Sequence, residues 1–257
     1  MNNGLENVVA AETVLSDVRG AEGQLIIRGH PLSALAGHST FEQTAHLLFA
    51  DFFDDLPDAA TFAARLAEAR VEVFESTRKQ FASLAELPVY DGMRAAMATL
   101  PDGIEFSDAL RLLAAPAVLL PALIRVQAGD GLIAPSVGIG HAADVIHMLG
   151  RSDGAKALDT YLVTVSDHGL NASTFAARVV ASTQAGLTSA VLAGLGALKG
   201  PLHGGAPGPV IDMLDAIAAD GDSKGWIDRA LDDGERLMGF GHRIYRTRDP
   251  RADALKT

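Results

Sequence analysis

Apolar residues recur along most of the chain at helical rather than strand spacing. Phe41, Ala45, Leu48 and Phe52 repeat every three to four positions, the period of one helix face. Ser39 or Thr40 stands ready to cap this helix, with Glu42 and Gln43 in its first turn, and Leu56-Pro57 stops it. TFAARLAEARVEVF is rich in helix formers. Further helices are expected over Thr77–Leu87 and Gly92–Leu100, before the turn Pro101-Asp102-Gly103. Phe106–Ala128 is a long apolar segment punctuated by Pro116 and Pro121 and ended by Gly129-Asp130-Gly131, which reads as a buried core helix with a kink or break. His141–Leu149, Ala155–Val165 and Asn171–Ala185 are expected as helices. Leu187–Leu198 (LTSAVLAGLGAL) is a small-residue helix suited to close packing or a subunit interface. Strand signals are confined to Val8–Ala11 and Leu25–Ile27, on either side of SDVRGAEG, which suggests a small N-terminal β-ribbon. The fold class expected is all-α.

Composition narrows the classes. The chain has 257 residues, 48% of them apolar and 21% charged, the balance of a globular protein rather than of a disordered or fibrous one. Lys and Arg number 21 against 32 Asp and Glu, a net charge of −11. Such a field disfavours nucleic acid and anionic membranes as partners, and leaves room for a local basic site. Cysteine is absent, which excludes disulfides, thiolate metal sites and Cys nucleophiles. The N-terminal segment has no basic region followed by an apolar one, so no signal peptide is expected and the cytoplasm is the expected location. Leu112–Ile124 is too short for a bilayer span and carries two prolines.

The chemistry-bearing residues are histidines and arginines. His30, His38 and His46 read as surface or capping residues, and His141 and His147 do not share a helix face. No HExxH, GxSxG or phosphate-loop motif occurs, and Gly138-x-Gly140 follows no strand. His168 (SDHGLN), His203 (GPLHGGAPGP) and His242 (GFGHRIYRTRDPR) differ from the rest. Each is flanked by Gly, in a loop where a ligand can approach. His203 lies just before the helix opened by Pro207–Pro209, whose positive end disfavours imidazolium. A neutral imidazole there can donate to a carbonyl becoming an enolate. The other reading of His203 is a turn histidine with no ligand. Arg243, Arg246, Arg248 and Arg251 fall within nine residues, a local anion site of the kind that grips carboxylate or phosphate. Asp249 and Asp253 can instead neutralise some of these arginines in surface pairs. Asp249 before Pro250 is a natural helix cap.

SDHGLNASTFAARVVAST, GALKGPLHGGAPGPVIDML and MGFGHRIYRTRDPRA resemble, in order and spacing, the motifs of the citrate synthases and 2-methylcitrate synthases. GLENVVAAETVLSDVRGAEGQLIIRGHPLSALA and GHAADVIHML are also similar to segments of that family, so the resemblance covers essentially the whole chain. It implies a two-domain helical fold, with residues 1–203 as the large domain and 204–257 as the start of the small one, and a homodimer. The implied reaction condenses acetyl-CoA with oxaloacetate and then hydrolyses the thioester to citrate and CoA. Propionyl-CoA is the alternative acyl donor. No metal and no cofactor beyond the CoA thioester are implied. His203 matches the enol-stabilising His, and His242 the His that polarises the oxaloacetate ketone. His168 and Arg251 match residues that hold the oxaloacetate carboxylates. Arg246 matches a CoA phosphate contact of some members. Arg236, Leu237, Met238, Gly239 and Phe240 match the loop that recognises the CoA adenine.

The resemblance places the catalytic base, an Asp, well downstream of the His242 motif. Asp249 and Asp253 do not match it, and the sequence ends at Thr257. The expectation is therefore either a portion of a longer enzyme or a short homologue that binds ligands without turnover, such as a binding or assembly subunit. A helical scaffold with incidental His-Gly loops is the reading outside the family. A smaller departure is Gly169, where many members carry Glu.

Overall fold

In the computed structural model, which describes residues 11–205, 207–241 and 244–256, the chain opens with a three-stranded antiparallel ribbon. Its strands are β1 (Ser16–Arg19), β2 (Gln24–Ile27) and β3 (His30–Pro31), in that spatial order. Ser16 pairs with Ile27 and Arg19 with Gln24 across the Gly20–Gly23 turn. The ribbon is thus present, but its first strand is not the apolar run Val8–Ala11. Val8, Val9 and Ala10 lie outside the described residues, and Ala11 is in no strand. The polar SDVR segment takes the edge instead, because the tight turn brings it back along β2, whose Leu25 and Ile27 face the core.

Helices follow: α1 (Leu32–Leu35), α2 (Phe41–Phe49), α3 (Ala59–Thr77), α4 (Phe81–Leu84), α5 (Val89–Met97), α6 (Phe106–Gln127), α7 (His141–Met148), α8 (Ala155–Thr164), α9 (Ala172–Ala181), α10 (Leu187–Leu198), α11 (Gly208–Asp220), α12 (Ser223–Asp232) and α13 (Pro250–Ala254). Thr40 caps α2 reciprocally with Gln43. The helix expected over Thr77–Leu87 is broken at its start. Ser76 and Thr77 both turn their hydroxyls back onto the Val73 carbonyl, which competes with helix propagation. The chain then restarts at Phe81.

α6 is the central post, with α3, α5, α7 and α10 packed around it. No break occurs at Pro116 or Pro121; both lie inside one continuous helix. Each proline forfeits a backbone bond, a cost of about 3 kcal/mol. Burial of Leu110, Leu112, Val118, Leu119 and Leu123, about 1.5–3 kcal/mol for each such side chain, offsets it. At 22 residues α6 fills the expected segment Phe106–Ala128 and is long enough to cross a bilayer, but it is packed inside the protein. α11 and α12 pack on each other; the second, SKGWIDRALD, is capped by Asp222, whose side chain accepts from the Gly225 amide.

Candidate active site

Two helices in a hairpin set the first half of the site. The C-terminal half of α10 lies against the N-terminal half of α9, with Gly194 beside Ser173 and Ala177. The loop after α10 therefore meets the loop before α9. Those two loops carry His203 and His168. Asn171 caps α9, its side-chain oxygen accepting from the backbone of Ser173 and Thr174. Ser173 Oγ donates to the same oxygen at 2.7 Å and lies 2.9 Å from Nε2 of the half-buried His203. The His203 loop is closed by backbone bonds from His203 and Gly205 to Gly200. α11 opens at Gly208, soon after it, as expected.

The second half is assembled on Tyr245. Its hydroxyl lies 3.0 Å from His168 Nε2, and the two rings meet edge-on at 5.6 Å. The guanidinium of Arg251 sits over the other part of the ring, 5.7 Å from its centre. His168 and Arg251, distant in sequence, thus flank one side chain. Asp249 caps α13 and also holds Arg251 in a two-point ion pair, at 3.0 and 2.7 Å. Arg248 pairs with Asp253. The surface pairing allowed for these acids is therefore realised for Asp253, whereas the Asp249–Arg251 pair is half-buried.

The N-terminal ribbon holds the two halves in register. Ser16 Oγ accepts from the Gly169 amide at 2.7 Å and donates to Asp167, on either side of His168. Gly169 has a φ of +69°, a conformation that a side chain at this position would resist. On the other side, the Arg246 amide donates to the Gly20 carbonyl at 3.0 Å. A Cβ on Gly20 would overlap the Ile244 carbonyl, so the close approach requires glycine.

Arg236 and Phe240 are exposed, Phe240 at 70%, while Leu237 and Met238 are half-buried. Gly239 lies beside Val210 in the first turn of α11, which brings this loop to the helix that follows His203. The Arg246 side chain is exposed. His242 and Arg243 lie outside the described residues. A groove of about 1110 Å³ lies elsewhere, between the ribbon, α1, α8 and α13; Leu25, Leu32, Lys156 and Ala254 line it, not His168, His203 or Arg251.

Sequence reading missed Ser16, Ser173 and Tyr245. The Tyr245 ring is 4% exposed, and burial raises its pKa above the usual phenol value, so it stays protonated at neutral pH. A buried polar knot was missed too. Arg70, 1% exposed, meets the fully buried Asp144 at 2.6 Å and donates to the carbonyls of Ser136 and Ile139. His141 lies against it, with Nδ1 3.5 Å from Arg70, and stacks on Phe41. Burial, then the Arg70 charge, lowers the His141 pKa to about 3. The available signal was Arg70 within the apolar stripe of α3, between Leu66 and Val73.

Relatives carry the same architecture. The family described as "Citrate synthase, C-terminal domain" matches residues 4–257. Citrate synthase of Haloferax volcanii is 35% identical over 280 residues, covering 99% of this chain and 72% of the relative. The 2-methylcitrate synthase of Mycobacterium tuberculosis is 34% identical, covering 100% and 68%. Among solved structures, citrate synthase of Thermotoga maritima superposes with a TM-score of 0.81 at 32% identity, covering 98% of this chain and 71% of that one. Citrate synthase of Thermoplasma acidophilum, in a ternary complex with carboxymethyl coenzyme A and oxaloacetate, reaches 0.81 at 27% identity, covering 98% and 70%. On the full-length match to the family and the shared fold, the chain belongs to the citrate synthase family.

Proposed function

We propose that the protein condenses acetyl-CoA with oxaloacetate and hydrolyses the resulting thioester to citrate and CoA. The observation that carries this reading is the placement of His168 and Arg251 on one Tyr245 side chain, while His203 reaches through Ser173 into the helix capped just after His168. A dicarboxylate is held by His168 and Arg251, cationic or donating groups that offset its charge. Removal of a proton α to the thioester needs a base to take it, for which the resemblance gives an Asp downstream of the His242 motif; charge then builds on the carbonyl oxygen, and His203 donates to it. The new carbon nucleophile attacks the keto carbon of oxaloacetate, and His242, whose role rests on motif resemblance, polarises that ketone. Water then cleaves the thioester. Asp249 and Asp253 are not assigned as the base, since Arg251 and Arg248 pair with them.

Arg236–Phe240 is the segment we assign to the adenine end of CoA, and Arg246 to a CoA phosphate. The chemistry needs no metal or further cofactor. The homodimer remains part of the reading, supported by α9, which buries none of its residues and exposes Phe175 and Val179. We assign residues 1–203 and 204–257 to the large domain and the start of the small one. Propionyl-CoA is the second donor to test, on the similarity to 2-methylcitrate synthase. Free thiol released from either acyl-CoA on addition of oxaloacetate is the expected result. Calorimetric binding of oxaloacetate with no thiol release would point to a binding subunit, and neither binding nor release would overturn the reading.

A further inference from the structure

We infer that Tyr245 is a positioning residue for the dicarboxylate pocket, orienting the His168 imidazole through its hydroxyl and supporting the Arg251 guanidinium on its ring face. This deepens the reading above and rests on it. Three observations converge. The hydroxyl is 3.0 Å from His168 Nε2. The Arg251 guanidinium carbon is 5.7 Å from the ring centre, within the range of cation–π attraction. The ring itself is held on both sides in sequence, since the Ile244 carbonyl packs on Gly20 and the Arg246 amide donates to the Gly20 carbonyl.

The physical consequence follows from the two contacts. An imidazole in a glycine-flanked loop turns about its side-chain bonds unless a partner fixes it, and a buried phenol is such a partner. A guanidinium on a short helix is placed in one direction by Asp249 and in another by the ring beneath it. One tyrosine therefore couples the two anion-holding groups, so that an incoming dicarboxylate meets them already spaced. Pre-set geometry of this kind lowers the ordering cost of binding.

The test is oxaloacetate binding by calorimetry with Tyr245→Phe, which removes the hydroxyl and keeps the ring, and Tyr245→Leu, which removes both contacts. We expect binding about three- to tenfold weaker for Tyr245→Phe, the range of one net hydrogen bond. Tyr245→Leu should be weaker again, and CoA affinity and the melting temperature of Tyr245→Phe should stay near those of the unaltered protein. In nitrogen-15 spectra of labelled histidine, the His168 Nε2 signal should move on Tyr245→Phe. Oxaloacetate affinity unchanged in both variants overturns the positioning role while leaving the reading of the site intact. If the unaltered protein binds no oxaloacetate, that reading falls, and the His168 signal still decides: a signal unmoved by Tyr245→Phe overturns the contact.

Discussion

Ser173 Oγ lies 2.9 Å from His203 Nε2, thirty positions further along the chain. The hydroxyl donates its one proton to Asn171 Oδ1 at 2.7 Å. With that proton committed, Oγ accepts from the His203 Nε2–H, which keeps the imidazole proton on Nε2 and fixes the plane of the ring that is to donate to a thioester oxygen. Ser173→Ala removes that control. The expected outcome is a kcat roughly 10- to 100-fold lower with a smaller change in KM for the acyl-CoA. Steady-state kinetics checks it, and an unchanged kcat would remove Ser173 from the account.

The ribbon is predicted to matter for binding more than for the core. Gly20→Val forces a side chain into the Ile244 carbonyl, a strain of about 1–3 kcal/mol. Most of it falls on the 244–248 segment, far from the α6 core. Oxaloacetate affinity should drop at least tenfold while the melting temperature falls by only a few degrees. Equal affinity in Gly20→Val and the unaltered protein would show that the contact between Gly20 and the 244–248 segment is not needed.

Acid stability follows from His141. Its folded pKa, about 3, lies below the ordinary 6.5, so the unfolded chain takes up a proton that the folded one refuses. Stability is therefore complete above pH 6.5 and declines as pH falls toward 3. Between pH 7 and pH 5 this single group should cost about 2 kcal/mol. Chemical denaturation of the unaltered protein and of His141→Gln at both pH values measures it; the variant should lose less between them. An identical pH dependence would contradict the burial assigned to this imidazole.

Arg248 offers a contrast within the arginine cluster. It is exposed and pairs with Asp253 on the surface, and such pairs contribute little. Arg248→Ala should change oxaloacetate affinity less than twofold by calorimetry. A loss comparable to that of an anion-holding arginine would mean the pocket is drawn in the wrong place.

The sequence was informative where local signals and structure coincide. The Thr40 cap, the Leu187–Leu198 helix and the Asp249-Pro250 start are local chemistry, and all are found as read. The break allowed at the prolines of α6 is absent, and the helix expected to start at Thr77 starts at Phe81, because both outcomes depend on opposing forces. Packing overrides the first, and side-chain bonding to the backbone prevails in the second. In the site, Gly-flanked histidines and clustered arginines drew attention by composition. Ser16, Ser173 and Tyr245 did not, because their roles arise from partners 153, 30 and 77 positions away. Arg70 was hidden for a related reason: one charge in an apolar stripe gains meaning only when Asp144 arrives 74 positions later.

The most direct test of the dicarboxylate pocket is calorimetric titration of oxaloacetate into the unaltered protein and into Arg251→Ala. Loss of a guanidinium that holds a carboxylate should cost about 2–4 kcal/mol, which corresponds to affinity weakened roughly 30- to 1,000-fold. Saturable oxaloacetate binding that collapses to this extent in Arg251→Ala is the predicted result. Binding of equal strength in both proteins would contradict the pocket on which the whole account is built.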